Sequence, residues 1–328
     1  MEFVWDGVTA LVMENEAIRL EILVDRGTDI VEFLYKPLDI DFMWRGPIPI
    51  HKPFSLITTA PGKLGNFLDY YPGGWQEIFP NGGGPCEYKG AVLGLHGEVA
   101  LQPWKYSVTE DTGSALSIKF STATYRTPFL LEKTISIRRK SAEVVIEEEV
   151  TNNSGEDMDF IWGHHPALGK PFLSEDCVIR MKGARVSVGK GDGKSFTNLK
   201  QTTGTWPLVE RADGKGTVDI SICPAEKDRV SEVMFLSELQ EGQYEIYNRK
   251  LKAGFKLEFP PDVFRYVWFW RIARGSFEYP WYGRTYNVAL EPFSSLPNLA
   301  EAVKRGDSLK LKPGRSLSAT LKASVTTG

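Results

Sequence analysis

Only four of the 328 residues are histidine: His51, His96, His164 and His165. Two of them stand side by side in the stretch IWGHHPALG, residues 161 to 169. An imidazole with a pKa near about 6.5 trades protons at neutral pH, so scarce histidines among apolar neighbours are the first candidates for acid–base work. The adjacent pair cannot act together from one strand, because successive side chains leave opposite faces. At most one of the two enters a given cleft. His96 lies between Leu95 and Gly97 in a stretch rich in glycine and aromatics, residues 70 to 104. Glu291 closes the apolar run Val288-Ala289-Leu290 and precedes Pro292. A carboxylate so placed is a candidate for burial, which raises its pKa. Taken singly, each has a plainer reading, a satisfied core histidine or a strand-end carboxylate in solvent.

The elements that position these residues read as strands. Leu116, Ile118 and Phe120 alternate with polar neighbours, as do Ile135 with Ile137, Val144, Ile146 and Val150, and Leu317, Ala319, Leu321 and Ala323. Val218, Ile220 and Ile222 repeat the pattern. Turn signals in RADGKG (211–216), KGDGKS (190–195) and KPGRS (312–316) separate such runs, as antiparallel hairpins require. Helical periodicity is confined to one short helix at 297–305 and a turn or two near residues 65 to 79. No βαβ alternation, dinucleotide fingerprint or phosphate loop occurs. The expectation is an all-β chain, one large antiparallel β-sandwich forming a single domain over 1–328.

Composition narrows the function. The net charge of −3 and the lack of a basic run argue against nucleic acid. No apolar stretch reaches membrane-spanning length, and the opening residues carry no signal-peptide pattern, so no membrane is expected and the cytoplasm is the expected compartment. Cys86, Cys177 and Cys223 are too widely spaced for a disulfide framework or a zinc motif. Aromatic residues make up 12%, with nine tryptophans. That suits a β core, and it also suits a carbohydrate cleft, where flat rings meet sugar C–H faces.

Three segments in order carry a resemblance. Leu95-His96-Gly97 follows an apolar step, HHPALG places a histidine before a short turn, and VALEPFSS ends an apolar strand in Glu-Pro. LPNLA and LKPGRSLSATL follow. In order and approximate spacing, across nearly the whole chain, this resembles the galactose mutarotase-like superfamily, the aldose 1-epimerases and their relatives. The resemblance selects His165 over His164. It implies His165 as general acid toward the ring oxygen, Glu291 as base at the anomeric hydroxyl, and His96 assisting at the ring oxygen. The implied fold is the β-sandwich of that superfamily, and the implied activity is interconversion of the α and β anomers of a sugar without a cofactor or metal.

Three departures bear on the substrate. Glu98 replaces the second glycine of the family's His-Gly-Gly, Ala167 stands where an aromatic or asparagine usually follows the second histidine, and no arginine occurs between Arg45 and Arg126. Alternatives therefore stay open. A sugar-phosphate epimerase would gather Arg271, Arg274 and Arg284 near Glu291. A carbohydrate-binding protein would keep the cleft without turnover. A metal site would use His96, Glu98 and His165. For substrate binding, Trp75, Gln76, Glu77 and Asn81 are expected to close the cleft. One face of YVWFWRIA is expected to border it: Trp268 and Trp270 on one side, Arg271 on the other. The expected partner is a carbohydrate substrate, and the composition leaves a homodimer open.

Overall fold

A computed structural model describes residues 1–53, 67–189 and 196–328. Among these, the alternating runs assemble into a 14-stranded and an 8-stranded sheet, with two further two-stranded pairs. The smaller of the two large sheets shows how the pattern works. Phe129–Arg138 pairs antiparallel with Glu143–Asn152, which pairs with Ser316–Thr327. The register sets Ile135 beside Ile146 and Ile146 beside Leu321, so the apolar positions share one face. Ile118, Phe120, Ile135, Ile137, Val144, Ile146, Val150, Leu321 and Ala323 are all buried there.

The larger sheet carries the candidate residues on its middle strands. In spatial order these are Asp29–Tyr35, Trp75–Ile78, Gly163–Leu168, Tyr286–Phe293, Tyr266–Ala273 and Val230–Ser237. Every residue of Gly163–Leu168 and of Tyr286–Phe293 is buried. One face of these strands packs toward the 8-stranded sheet, and in the central two the other face is buried as well, so their sequences carry no simple apolar–polar alternation. A single contiguous cluster of buried apolar side chains links both sheets.

Two sequence expectations need correcting, and one cannot be placed. The Val218–Ile222 alternation forms a strand only at Thr217–Asp219; the chain then turns, Ile220 is buried and Ile222 is exposed. The helix begins at Leu299, two residues later than expected, and runs to Arg305. Asn298 is its N-cap, its side-chain oxygen accepting from the Glu301 amide at 3.3 Å, and Gly306 ends it in the left-handed conformation. The KGDGKS turn lies outside the described residues. Among the described residues, no helix is long and apolar enough to cross a membrane.

Candidate active site

Strand register alone brings His165 and Glu291 face to face. Gly163 pairs with Phe293 and Ala167 with Ala289, so the midpoint between them sets His165 opposite Glu291. The row continues sideways, because His165 pairs with Gln76, Glu291 with Trp268, and Trp268 with Phe235. The adjacent row on the same face carries Val233, Trp270 and Ala289. His165 Nε2 lies 3.5 Å from Glu291 Oε1. Above this floor is a cavity of about 280 Å³, lined by His96, His165, Glu291 and aromatic rings that include Tyr71, Trp268, Trp270 and Trp281.

His96 arrives by a different route, on a turn. Its φ is +60° and that of Gly97 is +71°. A side chain at Gly97 would sit 2.2 Å from the Phe79 carbonyl oxygen, so only glycine allows the backbone to pass there. The turn aims the ring into the cavity, with its centroid 5.3 Å from that of His165. His96 Nδ1 donates to the Gly82 carbonyl at 2.5 Å, which leaves Nε2 free to face a ligand.

Burial governs the electrostatics. It pushes the Glu291 carboxyl well above the usual carboxylate range. Burial, and then the neighbouring His96, push His165 well below the usual histidine value. Burial lowers His96 to about 4, even though its bond to Gly82 favours the proton. Both shifts favour the neutral forms of Glu291 and His165 over an ion pair.

His164 leaves the strand on the other face, as the alternation requires. Its Nδ1 accepts from Trp75 Nε1 at 3.1 Å, and its Nε2 meets Glu148 Oε2 at 2.9 Å, between the sheets. Beside it, Lys133 Nζ binds Glu77 Oε2 at 2.8 Å, and Trp162 Nε1 donates to Glu77 Oε1 at 3.0 Å. Lys133 and Glu148 are cross-strand partners that interrupt the apolar inner face of the 8-stranded sheet.

Trp268 and Trp270 line the cavity, whereas the other residues expected to bind substrate lie elsewhere. Trp75 and Glu77 belong to the buried network around His164, because they point to the opposite face from Gln76. Gln76 shares the face of His165, but its amide nitrogen donates to Asp29 at 2.9 Å and to the Gly73 carbonyl at 2.6 Å, and it does not line the cavity. Asn81 ties the glycine loop together, donating to Gly94 at 2.8 Å and accepting from the Leu299 amide at 2.8 Å. Arg271 points away from the cavity and binds Glu232 at 2.6 Å. Arg274 pairs with Glu226, and Arg284 lies over the Tyr282 ring. No arginine or lysine lines the cavity among the described residues.

Glu98 faces the 124–128 turn, where it accepts from the Tyr125 and Arg126 amides at 2.8 and 2.9 Å and from Thr127 Oγ1 at 3.0 Å. Its carboxylate anchors that hairpin and does not join His96 and His165. Among the described residues, no three His, Cys, Asp or Glu side chains are arranged to hold a metal. The sequence reading missed Phe67, Tyr71, Val233, Phe235, Trp281 and Pro297 at the cavity. Tyr71, Trp281 and Pro297 do fall inside the segments it singled out, but nothing local distinguishes Tyr71 from Tyr70.

The family model for DUF4432, a domain of unknown function, matches residues 5–325. The chain belongs to the DUF4432 family. No curated protein matches it. Solved structures show what this DUF4432 chain folds like. A candidate aldose 1-epimerase of Klebsiella pneumoniae is 15% identical over 99% of this chain and 82% of its own, with a TM-score of 0.77. The Slr1438 protein of Synechocystis sp. PCC 6803 is 16% identical over 100% and 99%, at 0.69. A galactose mutarotase related enzyme of Lactobacillus acidophilus is 18% identical over 97% of each chain, at 0.63. The DUF4432 chain therefore has the galactose mutarotase-like fold, an all-β sandwich.

Proposed function

We propose that the chain is an aldose 1-epimerase-like isomerase that interconverts the anomers of a free sugar, with His165, Glu291 and His96 as its catalytic groups. The observation that carries this reading is the His165–Glu291 couple, 3.5 Å apart on the floor of an aromatic cavity. Anomer exchange requires one proton to leave O1 and one to reach O5. A single acid and a single base on one side of the ring supply both. Burial favours the proton on Glu291 over His165. Sugar hydroxyls entering beside the carboxyl solvate its charged form, and the proton passes to His165 Nε2. Glu291 then takes the O1 proton as His165 protonates O5, and the C1–O5 bond opens to the aldehyde. Rotation about C1–C2 and the reverse transfers close the ring in the other configuration. His96 Nε2 lies on the same side to assist at O5.

The cavity is at the small end of ligand sites, which run from roughly 300 to 1,000 Å³, and that supports a single sugar ring. Its walls of Trp268, Trp270 and Trp281 supply flat surfaces for C–H faces. The lack of a lining cation among the described residues favours a free sugar over a phosphorylated one.

The test is magnetisation-exchange NMR of α and β anomers, over a panel of free aldoses and their 6-phosphates. Acceleration of at least one free aldose is expected. Acceleration of phosphorylated sugars alone would replace the substrate, and binding without acceleration would make the chain a carbohydrate-binding protein.

A further inference from the structure

Tyr71 stands directly behind the acid–base couple. It follows the short turn Leu68–Tyr70 and is buried. Its ring stacks on Phe67 at 5.0 Å, and Trp44, Trp270 and Trp281 enclose it at 5.6 to 6.4 Å. This packing fixes where the hydroxyl falls, which is 3.2 Å from His165 Nδ1. The phenol thus bonds His165 at Nδ1, while Nε2 faces the Glu291 carboxyl at 3.5 Å.

A phenol oxygen can donate or accept, so the partners must decide which it does. If Tyr71 donates to Nδ1, the neutral imidazole carries its proton on Nε2. That leaves Nε2 no lone pair with which to take a proton from Glu291, as the exchange above requires. If Tyr71 accepts from Nδ1–H, the Nε2 lone pair meets the Glu291 O–H, and every group is matched. Resting on the acid–base reading above, we propose that Tyr71 is a positioning residue: it accepts the Nδ1 proton of His165 and so keeps Nε2 as the atom that exchanges protons with Glu291 and the sugar.

The choice of a phenol has a chemical consequence. A carboxylate behind a catalytic histidine stabilises the imidazolium. A neutral oxygen does so less, and it is far too weak a base to take the proton itself. The proton that reaches Nε2 therefore leaves readily toward the ring oxygen. The neighbouring histidine supplies an internal contrast. The Trp75 N–H occupies the Nδ1 lone pair of His164, so His164 carries its proton on Nε2, toward Glu148. The two adjacent histidines hold opposite tautomers.

Nitrogen-15 NMR of the histidine-labelled chain tests this directly. Near neutral pH, His165 should show a protonated Nδ1 and a lone-pair Nε2, with His164 showing the reverse. Tyr71→Phe keeps the packed ring and removes the acceptor. It should mix the His165 tautomers, leave those of His164 alone, and lower kcat about 10-fold with KM unchanged, the scale of one lost hydrogen bond. A wild-type His165 with a lone-pair Nδ1, or a Tyr71→Phe chain with unaltered tautomers and kcat, would overturn the proposal. The wild-type spectrum needs no substrate. A chain that anomerises no sugar would thus refute the function while the spectrum still judges Tyr71.

Discussion

Glu77→Gln separates a place in the sugar cleft, expected from the sequence, from the place between the sheets found in the structure. Glu77 is 3% exposed, and its partner Lys133 5%. Their contact is 2.8 Å, the Lys133 ammonium lies 4.6 Å from the centre of the Trp104 ring, and Trp162 donates to the other carboxylate oxygen. Glutamine keeps the shape and one acceptor but leaves the Lys133 charge without its anion. Removing one member of a buried pair costs about 3–5 kcal/mol. The glutamine oxygen still accepts from Lys133, so the expected loss is about 3 kcal/mol, the low end of that range. Urea unfolding of the wild type, Glu77→Gln, Lys133→Met and the double variant measures it. The double variant should lose less than the two single losses added together, because it leaves no orphaned charge. Turnover per folded molecule should hold, since the Glu77 side chain faces away from the cavity. A Glu77→Gln chain within about 0.5 kcal/mol of wild type, the scale of an ordinary surface change, but with KM sharply raised would refute this reasoning.

His96 and Glu291 should pull stability in opposite directions with pH. Unfolded, His96 takes its proton near about pH 6.5; folded, it does so only near about 4. Stability should therefore fall as pH drops through that window, by at most about 2 kcal/mol between pH 7 and pH 5 given that the ring reaches the cavity. Urea midpoints of His96→Asn against wild type isolate this share. The folded Glu291 carboxyl keeps its proton to higher pH than the unfolded one. Its contribution is full in acid and fades as pH rises above about 4.5, a fading that Glu291→Gln should abolish in the same midpoint series. His164→Asn should cost stability in urea, by leaving Glu148 and Trp75 short of a partner, and should affect kcat far less than His165→Asn.

The fold was legible because most strands bury one face only, and alternation records that directly. Ile135, Ile146 and Leu321 could each be assigned to the apolar face of its own strand before any register was known. The middle strands carry no such record, since both faces of Gly163–Leu168 and Tyr286–Phe293 are buried. For this reason the order of His164 and His165 had to be taken from resemblance. Parity set Trp268 and Trp270 on one face of their strand and Arg271 on the other without choosing between the faces; the cavity lies on the tryptophan side. Trp75, Glu77 and Asn81 were misplaced for a physical reason: polar and aromatic residues in a glycine-rich stretch look the same whether they face a ligand or satisfy a buried charge. Here they satisfy Lys133, His164 and the loop backbone. Tyr71 was hidden because its role depends on a tertiary contact to a residue 94 positions away.

The central claim is that the His165–Glu291 couple moves the protons of anomer exchange. The most direct measurement is the NMR exchange rate between the α and β forms of the free aldose that the wild type accelerates most, repeated with Glu291→Gln. The account predicts a fall of about 10²-fold or more in kcat, with KM changed far less. A folded Glu291→Gln chain that exchanges the anomers at the wild-type rate would contradict it.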